Sequence, residues 1–344
     1  MIIEGSTVPA RVVPVDNGTT TASLSEWCAA HRSELRRLLS DKGAVLLRGF
    51  SVETPQDFSE VAHAVSGGAL QQYVAGVARR RRIADGVYSS TEYPPDVDMP
   101  CHNELAHTRD WPQLILFWCQ EPPVAQGQTP LIDGRRILRG LAPATIERFR
   151  TKEVTYVRYL HCGDDSGVLE RNIRVLDPSG YPYGLSWQLT YGTSDRGVVE
   201  RRAREVGASV TWTAEGGALW RETLPAMRPH YLTGEECWFN HVVTFHPSRM
   251  PSNARAGIDE QQYPRNVLYG DGTKIADETV REVRSAMAEE EVVFDWQRGD
   301  VLVIDNLLAM HGRRTYSGPR RLLVAMAGAG GASAAADHGA GSER

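Results

Sequence analysis

The chain has 344 residues, 41% hydrophobic and 24% charged, which provides enough apolar material for a packed core and argues against disorder as the default. A net charge of −5 gives no support to a general nucleic-acid-binding role, which calls for a basic surface, and no apolar run approaches the roughly 18 residues that would span a bilayer. The opening residues, Met1 to Ser6, lack the basic start and apolar core of a secretory signal, and the five widely spaced cysteines form no disulfide or zinc pattern, so the expected location is cytoplasmic.

In chain order, Ser23 followed by Glu26 reads as a capping box opening a helix to Lys42, with Leu35, Leu38 and Leu39 on one face and Gly43 as the stop. Ala44–Phe50 reads as a buried strand, and a second helix follows Pro55 with Phe58, Val61, Ala62 and Val65 aligned. Beyond Val87 the chain reads as short strands punctuated by Gly and Pro, Leu114–Cys119 being the most apolar. Helices are expected over Ala142–Arg150, Val198–Val206 and Ile275–Glu290. Strands are expected at Ser209–Thr213, Glu236–Val243, Val292–Phe294, Asp300–Asp305 and Arg321–Met326. Residues about 245–268 read as an inserted polar loop, and 328–344, rich in Gly, Ala and Ser, as a disordered tail. No strand–helix alternation and no Gly-rich phosphate loop follow the first strand, which disfavours a doubly wound sheet. The expectation is a mainly β protein with flanking helices, a single domain over 1–327 built on a double-stranded β-helix, or jelly-roll, core.

Two of the ten histidines stand in company suited to a metal. His102 and Glu104 are two apart, and on a strand such residues point to one face. A third ligand would complete a two-His, one-carboxylate set, which leaves adjacent positions open and suits iron(II). His311 follows a hydrophobic strand, and Gly318-Pro-Arg-Arg321 follows it in turn. A guanidinium there offers a two-pronged fork for a carboxylate. Cys101, beside His102, is expected to face away by strand alternation.

These residues, with Gly43-Ala-Val-Leu-Leu-Arg-Gly-Phe50, Ser90-Thr-Glu-Tyr-Pro-Pro95, Gly127-Gln-Thr129, Thr233-Gly-Glu-Glu-Cys-Trp-Phe-Asn240 and Tyr269-Gly-Asp-Gly272, run in an order that resembles the taurine dioxygenase-like (TauD/TfdA) superfamily, nearest its clavaminate-synthase-like and SyrP-like members. The resemblance covers about Gly43 to Met326. It implies Fe(II) held by His102, Glu104 and His311, with 2-oxoglutarate and O2 as cosubstrates. It further implies that Thr129 hydrogen-bonds 2-oxoglutarate and that Arg321, rather than Arg320, clamps its distal carboxylate. Relatives that halogenate carry a small residue where this chain has Glu104, so the carboxylate implies oxygenation.

By the same resemblance the substrate is an amino acid or an amino-acid derivative, free or on a peptidyl carrier protein, hydroxylated in the biosynthesis of a specialised metabolite such as an antibiotic. Desaturation, cyclisation and epoxidation are alternatives at the same centre, and catabolic oxygenation of a small organic acid is another. Relatives of the catabolic kind use a further arginine four residues after the clamp, where this chain has Ala325. A catalytically silent jelly-roll binding protein is the reading from another class. Candidate substrate contacts are Arg82, from the run Arg79–Arg82 where relatives place a lid, Glu92 just before the metal strand, and Asn240.

Overall fold

Two apolar strands near the end of the chain, Val301–Asp305 and Arg321–Gly331, flank the long strand Asp110–Glu121 and form the middle of an eight-stranded sheet. The computed structural model describes residues 2–4, 8–14, 21–72, 80–90, 94–163, 185–250, 255 and 259–331. The sheet continues on one side through Ala44–Leu47, Ala10–Val13 and Ile2–Glu4, and on the other through Val87–Ser89 and Arg82–Ala84. Its pairings are antiparallel except that of Ala10–Val13 with Ala44–Leu47.

Alternation along the central strands sorts their side chains onto two buried faces. Val45, Leu116, Trp118, Val303, Leu323 and Ala325 pack against the helices Thr21–Ala30, Arg32–Lys42 and Pro55–Ser66 through Leu24, Leu35, Phe58 and Val61. Leu46, Phe117, Ile304, Leu322, Val324 and Met326 turn the other way and meet Leu131 and Ala309 of a second, four-stranded sheet. That sheet runs in the order Val292–Phe294, Thr129–Asp133, Ala309–Arg313, Met99–His102. The two facing sheets are the expected jelly roll. On the outer side of the small sheet, Cys101, Ile132 and Met310 share a core with Phe149, Tyr156, Trp238, Phe245 and Val283. This core also joins a further antiparallel sheet containing Val154–Leu160 and Asn266–Tyr269.

Several boundaries differ from expectation, each for a local reason. The first helix is two, Thr21–Ala30 and Arg32–Lys42, parted at His31, which leaves helical geometry and stacks on Trp27 at 4.6 Å. Because the first begins at Thr21, Ser23 does not cap it. A capping box does occur at Thr54 and Asp57, with Pro55 starting its helix. The strand at Glu236 stops at Trp238; the Asn240 side chain accepts from the Val242 N–H and turns Val242–Phe245 into a short helix. The inserted loop ends earlier than 268, since Asn266–Tyr269 pairs with Val154–Val157. The last strand runs past 328 to Gly331, still paired with Asp110–Leu114; residues 332–344 lie outside those described.

Candidate metal centre

His102 ends the strand Met99–His102, and His311 is the middle residue of Ala309–Arg313, a strand the sequence reading did not separate out. The two histidines are direct partners in antiparallel register, with ring centroids 4.7 Å apart. Gly312 makes this approach possible, because a Cβ there would stand 2.7 Å from the Met99 carbonyl oxygen. Cys101 points into the outer core, away from the histidines, and burial raises its thiol pKa.

Glu104 is aimed differently from expectation. The strand ends at His102, and Glu104 lies in the turn beyond it, so strand alternation is not what directs it. Asn306, fully buried, does that work. Its Oδ1 accepts from the Glu104 N–H at 2.7 Å, its Nδ2 donates to the Glu104 and Pro112 carbonyls at 2.9 Å each, and its own carbonyl accepts from Asn103 Nδ2 at 2.6 Å. Asp305 fixes the turn that presents Asn306, accepting from the N–H groups of Leu307 and Leu308 and from the Tyr231 hydroxyl. The signal for this clamp was the Asp305-Asn306 pair after an apolar strand, which is turn chemistry.

The result is convergence. His102 Nε2 and His311 Nε2 each lie 4.0 Å from the same oxygen, Glu104 Oε2, and the three ligand atoms lie within 4.8 Å of one another. Among the described residues this is the one group of histidines, cysteines and carboxylates placed to hold a metal ion. Burial lowers the pKa of His102, against the pull of Glu104, and holds that of His311 well below its ordinary value, with His102 and Arg80 adding to it. Both imidazoles are therefore neutral. The Pro100 carbonyl, 2.9 Å from His102 Nδ1, can only accept, so Nδ1 carries the hydrogen and Nε2 keeps its lone pair for a metal.

Thr129, buried at the head of the strand beside that of His311, accepts from the Trp296 indole N–H at 3.0 Å. Since that N–H can only donate, the threonine hydroxyl keeps its own hydrogen to give to an anion. The two arginines of the late pair part company. Arg321 is exposed and shares parity with Leu323 and Ala325 on the helix-facing side of the sheet. Arg320, half-buried, lies one residue before that strand. Its Nε donates to the Gly127 carbonyl at 3.3 Å, and no carboxylate among the described residues pairs with it. Desolvation first, and the neighbouring Arg313 second, push its pKa down to about 10. The arginine enclosed without a counter-ion is thus Arg320, not the expected Arg321.

The substrate candidates fare less well. Arg82 is exposed and ion-paired with Asp85 at 3.0 Å. Asn240 is buried with its amide engaged by backbone, Nδ2 to Ala226 O and Oδ1 from Val242 N. Glu92 lies outside the described residues. Two side chains not singled out by sequence do adjoin the centre. Arg80 reaches Glu104, and His241 lies edge-on to His102 at 5.9 Å and is held neutral by burial, its pKa near 3.

Two neutral imidazoles and a carboxylate, with a hydroxyl donor and an uncompensated guanidinium nearby, fit iron(II) and an oxo-diacid. The comparisons agree. The family described as taurine catabolism dioxygenase TauD, TfdA family, matches residues 10–326. The chain is 32% identical over 316 residues to the dapdiamide synthesis protein DdaC of Enterobacter agglomerans, covering 91% of this chain and 89% of that one. It is 32% identical over 334 residues to a clavaminate synthase-like protein of Arabidopsis thaliana, covering 94% of each. Among solved structures, PvcB of Pseudomonas aeruginosa shares the fold, with a TM-score of 0.51 at 14% identity over 92% of this chain and 84% of that one. The chain belongs to the TauD/TfdA family and is a non-haem Fe(II)- and 2-oxoglutarate-dependent dioxygenase.

Proposed function

We propose that this dioxygenase hydroxylates an unactivated C–H bond of an amino acid, or of a substrate derived from one, in specialised metabolism. The observation that carries the reading is the likeness, over 91% of the chain, to a protein named for dapdiamide synthesis. His102, Glu104 and His311 would hold Fe(II), which with 2-oxoglutarate and O2 would supply the oxidising chemistry. The chain's own contribution is placement. His102 and His311 offer lone pairs without first releasing protons, because burial keeps them neutral. Thr129 donates its hydroxyl hydrogen to the distal carboxylate of 2-oxoglutarate, and Arg320 supplies the matching charge. Glu104 fills the position that a halide would need, which favours hydroxylation over halogenation.

Catabolic oxygenation of a small organic acid finds less support. The position four residues beyond the clamp is Val324 counted from Arg320 and Ala325 counted from Arg321, and both are buried and apolar. The test is a screen that reads 2-oxoglutarate-dependent succinate release with free amino acids, with amino acids on a peptidyl carrier protein, and with sulfonates. Turnover in either amino-acid arm is the expected result, and the better arm names the form of the substrate. Turnover confined to the sulfonates overturns the reading.

A further inference from the structure

Glu104 meets a third partner besides the two imidazoles. Arg80 Nη2 donates to Glu104 Oε2 at 2.9 Å, and the two side chains are only 3% and 6% exposed. The oxygen concerned is the same one that lies 4.0 Å from both His102 Nε2 and His311 Nε2. Arg80 is also held from behind. The adjacent Arg81 exchanges two hydrogen bonds with Ser89, its N–H donating to Ser89 Oγ at 2.9 Å and its carbonyl accepting from the Ser89 N–H at 2.8 Å. Ser89 in turn pairs with Leu323 in the large sheet. A buried ion pair of this kind is weak support for stability, since desolvating both charges offsets most of their attraction. Its place beside the ligand atoms points to the chemistry of the centre.

We propose that Arg80 acts through Glu104 on the charge of the centre: its fixed positive charge works against holding a bare divalent ion while favouring that ion together with dianionic 2-oxoglutarate. The physical basis is the sign of the charges. A guanidinium bonded to a ligand oxygen repels a cation bound at that oxygen and attracts an incoming dianion.

The test compares Arg80→Gln and Arg80→Lys with the unsubstituted protein, with Arg82→Gln as an exposed control. Co(II) affinity is read from its visible spectrum. 2-Oxoglutarate affinity is then read by calorimetry on the Co(II)-loaded protein, with no turnover involved. Arg80→Gln is expected to bind Co(II) at least as tightly and 2-oxoglutarate about ten- to a hundredfold more weakly, as the loss of one nearby opposite charge would cost. Arg80→Lys, which keeps the charge, should hold both affinities near those of the unsubstituted protein. If Arg80→Gln is not obtained folded, Arg80→Lys carries the test, and a matching loss of 2-oxoglutarate affinity there overturns the proposal. Equal weakening of both ligands in Arg80→Gln, or unchanged 2-oxoglutarate affinity, also overturns it. Should the unsubstituted protein itself fail to bind 2-oxoglutarate, the failure lies with the cosubstrate assignment and not with Arg80.

Discussion

Replacing Arg320 with alanine should weaken 2-oxoglutarate binding far more than the same change at Arg321. Arg320 is half-buried and without a carboxylate partner among the described residues, so the cosubstrate's distal carboxylate would be its counter-ion. A hydrogen bond to a charged group contributes about 1.5–3 kcal/mol. At about 1.4 kcal/mol per tenfold, its loss lowers affinity roughly ten- to 150-fold. Arg321 is exposed, and an exposed charge is screened by water, so its loss should cost less than about fivefold. Arg320→Lys should fall between the two, since an ammonium keeps the charge but loses the planar fork. The assay is a 2-oxoglutarate titration of the Fe(II)-loaded protein without oxygen, followed by the absorption band that the cosubstrate develops. If Arg321→Ala loses affinity and Arg320→Ala does not, burial has picked the wrong arginine and the irregularity between Arg321 and Leu322 must reorient the pair.

Three further outcomes follow from the same geometry. Gly312→Ala forces a Cβ against the Met99 carbonyl, so it should cost about 1–3 kcal/mol in chemical denaturation and loosen metal binding; wild-type metal affinity would show that the strands can part without consequence. Asn306→Ala leaves the Glu104 N–H and two carbonyls without their partner and should cost at least about 2 kcal/mol, together with metal affinity, whereas stability loss with full metal affinity would mean that Glu104 does not depend on the clamp. Acid should destabilise the fold through His107 and His241, whose pKa values burial holds below 6.5, that of His241 near 3. Below pH 6.5 the unfolded chain takes up protons that the fold refuses, so stability is full above that pH and falls towards the folded values. For His241 the loss is about 1.4 kcal/mol per pH unit, or roughly 2 kcal/mol at pH 5, with His107 adding in the same direction, and a flat denaturation midpoint between pH 7 and 5 would contradict it.

How much of the centre was legible depended on what each residue relied on. The helix after Pro55 and the strands at Leu114 and Val301 were readable because periodicity and local stop signals decide them. His102 and His311 were readable as residue types, but the strand carrying His311 was not. Its identity rests on pairing with Thr129–Asp133 and Met99–His102, partners distant in the chain. Glu104 does lie beside the two histidines, but strand alternation, the reason given for it, does not apply beyond His102; a side chain two hundred residues away aims it. Arg80 sat in plain view in a run of four arginines, yet nothing local separates it from Arg82; tertiary structure buries Arg80 against Glu104 and leaves Arg82 in solvent beside Asp85.

The Arg320–Arg321 choice marks the limit of alternation as an argument. Alternation says that two neighbours on a strand face opposite ways, but Arg320 lies one residue before the strand that Arg321 begins, and burial, not alternation, distinguishes the two. Alternation does not say which faces in unless one side of the strand is polar. Leu322-Leu-Val-Ala-Met326 is apolar at every position because the strand is central: Leu322, Val324 and Met326 pack against the small sheet, and Leu323 and Ala325 against the N-terminal helices. A strand buried on both faces carries no phase. The phase comes instead from tertiary structure, from the register with Asp110–Glu121 and the irregularity between Arg321 and Leu322. The same double burial makes the strand a rigid mount for a guanidinium at its open end, where a one-residue error in phase exchanges an enclosed, desolvated cation for a solvated one.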